Sequence, residues 1–114
     1  MESINRTAVV IRPRQPFIDW INSIPDENID FTLEQILADN ITFLVPGHDD
    51  PRDSRAYIKK IYSDIFEFEL FGWIVTEELW PQKRTWKKFQ EWFEVEINSE
   101  VFDLVEGVIE KEEM

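Results

Sequence analysis

The spacing of hydrophobic positions changes several times along the chain, and each change predicts an element. RTAVVI, residues 6 to 11, is a β-branched run of strand length that Pro13 closes. Phe17, Trp20, Ile21 and Ile24 then recur at helical spacing and define one helix face. Pro16 suits the first turn, where no intrahelical N–H is needed, and Pro25 stops the helix. A polar connector, PDENID, leads to Thr32 and Gln35, which are spaced as a capping box. Phe31 and Ile36 are placed to close a hydrophobic staple across it. This helix is short, with Asn40 at its exit. ITFLV, residues 41 to 45, is the second strand, broken by the turn PGHDDP. Asp50 then caps a long helix with Pro51 at its first position and Asp53 in its first turn, both acids at the positive end of the helix dipole. Ile58, Ile61, Tyr62 and Ile65 are its apolar stripe, and Gly72 its exit.

WIVTEELWP reads as irregular or briefly helical. Thr85 caps a further helix in which Trp86, Phe89 and Phe93 repeat on one side, with Trp92 beside Phe89. Lys87 and Lys88 fall on the wet side. From Trp92 onward the period becomes two: in FEVEI, Phe93, Val95 and Ile97 point inward and Glu94 and Glu96 outward, as in a half-exposed strand. Residues 101 to 105 are read as a last strand, although Val101, Phe102, Leu104, Val105, Val108 and Ile109 also fit a helix capped by Ser99. Residues 110 to 114 are a solvated tail. The order of elements predicts one α+β domain over residues 1 to 114. It has two layers: a small, mainly antiparallel sheet of about four strands, and helices packed on one face. The glutamates of FEVEI imply that the other face meets water.

Composition narrows the class. The chain has 114 residues, enough for one core, and 43% hydrophobic residues, too many for disorder. There is no cysteine, so neither a disulfide framework nor a thiolate metal site is available. No apolar run suggests a signal peptide or a membrane span, and a cytoplasmic protein is expected. A net charge of −12 opposes binding to phosphate backbones and to anionic lipid. No direct nucleic-acid or membrane contact is therefore expected.

Candidate chemistry is sparse. One histidine, His48, would have to serve any Ser-His-acid triad, and no serine lies in a G-x-S-x-G elbow. His48, Asp49 and Asp50 are adjacent, a poor arrangement for facing one metal ion, and His48 reads as an exposed loop histidine. No glycine-rich phosphate loop exists. No catalytic residue, metal ligand or cofactor is assigned. What stands out is LWPQKRTWKKFQEWF, residues 79 to 93, where basic residues crowd among tryptophans in an acidic chain. Trp80, Lys83, Arg84, Lys87 and Lys88 form the candidate interaction patch, combining an aromatic anchor with charge steering. Trp80 as a core residue, and neutralisation of the basic side chains by neighbouring acids, are the plainer readings.

Taken together, NRTAVVIRPRQPFIDWINS and LWPQKRTWKKFQEWFEVEINSEVFDL resemble a family of small, acidic, uncharacterised bacterial proteins. The matching positions are Arg6 to Ala8, Pro13 to Trp20, Leu79 to Pro81, Trp92 with Phe93, and Asp103 with Leu104. The resemblance weakens over residues 46 to 60. It implies a single bacterial cytoplasmic domain and brings no activity, cofactor or site residue.

The expected function is binding another protein without catalysis, as a monomer or a homodimer. A small enzyme or small-ligand protein with a cleft near Arg12, Arg14 and Asp19 is the alternative. An acidic nucleic-acid mimic, with Asp26, Glu27, Asp30, Glu34 and Asp39 as a phosphate-like row, is the third.

Overall fold

Alternation along the first long strand organises the molecule. The computed structural model describes residues 1–25 and 30–114. Its strands are β1 (Glu2–Ser3), β2 (Arg6–Pro13), β3 (Ile41–Pro46), β4 (Phe93–Asn98) and β5 (Phe102–Asp103). Its helices are α1 (Gln15–Asn22), α2 (Leu33–Ile36), α3 (Pro51–Phe71) and α4 (Trp86–Trp92). In β2, Thr7, Val9, Ile11 and Pro13 are buried while the residues between them are half-exposed. Phe93, Val95 and Ile97 of β4 likewise turn inward, with Glu94 and Glu96 outward. The helices therefore cover one face, and the other is wet.

β2 is the centre of a three-stranded antiparallel sheet of order β3-β2-β4. Its ladder with β3 runs from Arg6↔Pro46 to Ile11↔Ile41, and that with β4 from Ala8↔Asn98 to Pro13↔Phe93. The fourth expected strand does not join this sheet. Of residues 101 to 105 only Phe102–Asp103 is strand, and it pairs with β1 in a separate two-stranded ribbon through Ser3↔Phe102 and Glu2↔Asp103. The Ile4 N–H also donates to Val101 O at 2.9 Å. The ribbon continues the line of β2 and β4, but Ile4 to Thr7 on one side face only Ser99 to Val101 on the other. That extra residue interrupts the ladder, as a bulge does. Neither reading of residues 104 and 105 as regular structure holds. Asp103 Oδ1 accepts from the Val105 N–H at 2.9 Å and turns the chain aside, and Gly107 adopts a φ of 102°.

Local chemistry sets the helices as their sequences imply. Pro16 occupies the first turn of α1. Thr32 and Gln35 make the reciprocal capping box of α2. Asp50 caps α3 by accepting from the Arg52 N–H at 2.9 Å, and Thr85 caps α4 by accepting from the Lys88 N–H at 3.1 Å. A 3-10 turn at Glu77–Leu79 lies within the segment expected to be irregular or briefly helical.

Between the layers the core is aromatic. Phe17 of α1, Phe66 of α3, Phe89 of α4 and Phe93 of β4 are all fully buried. Phe93 lies 5.2 Å from Phe17, 5.3 Å from Phe66 and 5.2 Å from Phe89, centroid to centroid. Such pairs add about 0.5–1.5 kcal/mol each beyond burial. Phe66 also reaches Trp92 at 5.6 Å and so joins three elements. Phe66→Ala should destabilise the protein by about 3–5 kcal/mol. Urea denaturation measures this, and a loss below about 1 kcal/mol would show that the site is not the packed centre.

Candidate functional site

The basic segment is less open than its sequence suggests. Trp80, the expected aromatic anchor, is only 7% exposed, and its Nε1 donates to Ile74 O at 2.8 Å. Its indole closes the core beneath the Leu79–Pro81 corner and is not a surface anchor. Arg84 is held by three contacts: Nη1 donates to Pro81 O at 2.8 Å, Nη2 pairs with Glu67 at 3.0 Å, and the guanidinium stacks 5.7 Å from the Trp80 ring. Lys88 Nζ lies 5.9 Å from the Trp92 ring. Lys83 and Lys87 are exposed, and among the described residues neither makes an ion pair. The expected patch thus reduces to these two lysines.

Among the described residues Arg12, Arg14 and Asp19 each take a separate partner. Arg12 stands on the wet face of β2 and pairs across the ladder with Glu96 at 3.2 Å, an exposed bridge worth about 0–1 kcal/mol. Arg14 is the exposed N-cap of α1, and its backbone N–H donates to Trp92 O at 2.7 Å. Asp19 is exposed and accepts from Gln15 Nε2 at 2.8 Å, one helical turn away. Of the acidic row, Asp26 and Glu27 lie outside the described residues, while Asp30, Glu34 and Asp39 are exposed.

His48 is half-buried rather than exposed. Its N–H donates to Thr7 Oγ1 at 3.2 Å, and its Nδ1 lies 3.3 Å from Ser54 Oγ. Thr7 and Ser54 are fully buried, so the group fastens the β3–α3 connection onto β2 and offers no accessible nucleophile. Gly47 allows this approach, since a Cβ there would stand 3.2 Å from Asn5 O.

The unexplained buried chemistry is at the other end of α3. Glu69 is 4% exposed, and among the described residues its Oε1 has no hydrogen-bond partner. Asn40 Oδ1 is likewise buried and unpartnered, while Asn40 Nδ2 donates to Leu37 O at 3.3 Å. Both residues line one cavity of about 220 Å³ together with Ile36, Asp39, Ile41 and Trp73. Burial pushes the Glu69 carboxyl from its ordinary value of 4.5 up to about 7. The sequence carried a signal for it. Glu69 follows Ile65 by four residues and Tyr62 by seven, so it falls on the apolar stripe of α3, between the buried Phe66 and Leu70.

A second feature is the segment after the ribbon. Leu104 is 69% exposed and Val105 77%, and Phe102, Val108 and Ile109 are exposed as well. The acids Asp103, Glu106 and Glu110 alternate with them. Glu2 and Leu104 through Gly107 line a cavity of about 410 Å³ against β1.

Glu69 makes a pH prediction. Between about 4.5 and about 7 the folded state retains a proton that the unfolded chain has released, so this carboxyl lowers stability as pH rises through that window. Asp50 and Glu96 act oppositely. Hydrogen bonds to Arg52 and Arg12 respectively hold their carboxyls low, and that contribution is lost as pH falls. Comparing wild type with Glu69→Gln cancels those two. The variant should gain on the order of 3 kcal/mol over wild type between about pH 5 and about pH 8. Urea midpoints at both values test it, and identical pH trends in the two proteins would remove the buried-acid account.

Comparison of the chain with family models, with curated proteins and with solved structures finds no match in any of the three. The motif resemblance carries no family assignment, and a functional reading has to stand on these side chains.

Proposed function

We propose that the protein works in the cytoplasm by binding another protein, through the apolar segment that follows β5. The observation that carries this reading is the exposure of Leu104, Val105, Val108 and Ile109 over a short stretch of chain, next to the exposed Phe102 of β5. Contiguous exposed apolar surface rimmed by polar residues marks contact sites. The interleaved acids set the partner's character: an apolar groove with basic residues around it. A net charge of −12 favours such a partner over a nucleic acid. The absence of cysteine suits a reducing compartment. Among the described residues no helix is long and apolar enough to cross a membrane.

Burying three of these side chains would contribute roughly 5–9 kcal/mol, against association costs of about 4–15 kcal/mol. The segment therefore supplies the apolar centre of a larger contact. The acids steer the basic rim of the partner, and the exposed Lys83 and Lys87 oppose that steering locally.

The double variant Leu104→Asp with Val105→Asp should lower recovery of the bound protein in affinity capture at least tenfold. The thermal midpoint should stay unchanged, because neither side chain packs in the core. Lys83→Glu with Lys87→Glu should speed association and steepen its salt dependence, because it removes two charges that repel the partner's basic rim. Undiminished recovery by the first double variant would refute the proposed surface.

A further inference from the structure

The cavity beside Glu69 shares none of its lining with the segment after β5, and it answers a different question. Its chemistry is that of an acceptor lacking a donor. Glu69 Oε1 and Asn40 Oδ1 are both buried, and both lack a hydrogen-bond partner among the described residues. A buried acceptor left unmatched is costly, and a buried carboxylate far more so. A third contribution comes from the backbone. The cavity is lined by Glu69, Gly72 and Trp73 and so lies at the C-terminal end of α3, the negative end of its dipole. The last turn of α3 holds no basic residue, and no lysine or arginine lines the cavity. Asp39, exposed, is the other titratable group of the lining. The ionisable groups of the lining, Glu69 and Asp39, are both acids, and no cationic side chain faces them there.

The remaining walls are apolar: Ile11, Pro13, Ile36 and Ile41, with the Trp73 indole half-open to solvent. Among the described residues no group of three or more metal-binding side chains occurs, so the lining offers a divalent ion at most two carboxylates. At about 220 Å³ the space equals roughly seven waters of about 30 Å³ each, so an occupant is small.

We infer that this cavity binds a small primary alkylammonium ion. Its head lies between the Glu69 carboxylate and Asn40 Oδ1, and its short chain lies against Ile36, Ile41 and Trp73. The ammonium group is a donor in three directions and carries the charge that the site lacks. Binding replaces the carboxyl proton by the ligand's charge, because Glu69 in its buried state holds a proton up to about pH 7. Affinity therefore rises with pH until that proton is already lost.

The test is a titration of the full chain with n-butylammonium, followed by the indole signal of Trp73 and the side-chain amide of Asn40 in ¹⁵N–¹H spectra. Saturable shifts of both signals are expected, with affinity at about pH 8 more than tenfold above that at about pH 5. n-Butanol, with the same chain and no charge, should give no saturable response. Glu69→Gln should weaken n-butylammonium binding at least tenfold and remove its pH dependence, its own spectrum confirming the fold. The wild-type pH contrast needs no variant and decides the matter even if that substitution disturbs folding. Equal responses to n-butanol and n-butylammonium, pH-independent binding by wild type, or unchanged binding by folded Glu69→Gln would each overturn the inference.

Discussion

Everything in this fold leans on the passage from Trp92 to Phe93, where α4 becomes β4 with no loop between them. The Trp92 carbonyl accepts from the Arg14 N–H at 2.7 Å, which ties the start of α1 to the same point. Phe93 then turns inward among Phe17, Phe66 and Phe89. One residue thus fixes a strand, three helices and the angle between them. Interiors are packed like crystals and do not deform continuously, so this junction sets the position of both layers. α3 crosses the junction through Phe66, which leaves its two ends at opposite margins of the sheet.

Those two ends are where α3 departs from a plain apolar stripe. Ser54 near the start and Glu69 near the end occupy positions that the stripe would reserve for hydrophobic side chains, and both are buried. Ser54 finds His48. Glu69 finds a cavity, where burial raises its pKa and its Oε1 has no partner among the described residues. The same helix therefore carries one polar group that closes the structure and one left for something else. The proposed protein-binding segment lies elsewhere, beyond the β1–β5 ribbon, where Leu104, Val105, Val108 and Ile109 stand outside the aromatic core.

Much of this was legible in the residue order, and the parts that were not share a cause. Caps are local, so Thr32 with Gln35, Asp50 with Pro51, and Thr85 could be read directly. The alternation of FEVEI is also local, and its strand lies where the pattern put it. Strand partnership is not local. The extra residue between β1 and β2 detaches the fourth strand from the sheet, and no property of VFDLV alone signals this. Trp80 reads as an anchor or, more plainly, as core, and only the placement of Ile74 O beneath its Nε1 decides between them. Neutralisation of Arg84 by an acid is the plainer reading, but residue order does not single out Glu67 of α3 as that acid. Arg12 and Asp19, close in sequence, were separated by the strand-to-helix turn and satisfied by Glu96 and Gln15. Glu69 was hidden by its type: a charged letter in a helix reads as solvated until its position on the stripe is counted.

The central claim is that the aromatic rings bind the sheet and helices into one rigid body, from which the segment after β5 is excluded. Native-state hydrogen exchange resolves this residue by residue. Amides of β2 and β4 should exchange only through global unfolding, while those of residues 104 to 109 should exchange without measurable protection. Protection of residues 104 to 109 as strong as that of β4, or local opening of the β2–β4 ladder well below the global unfolding energy, would contradict the account.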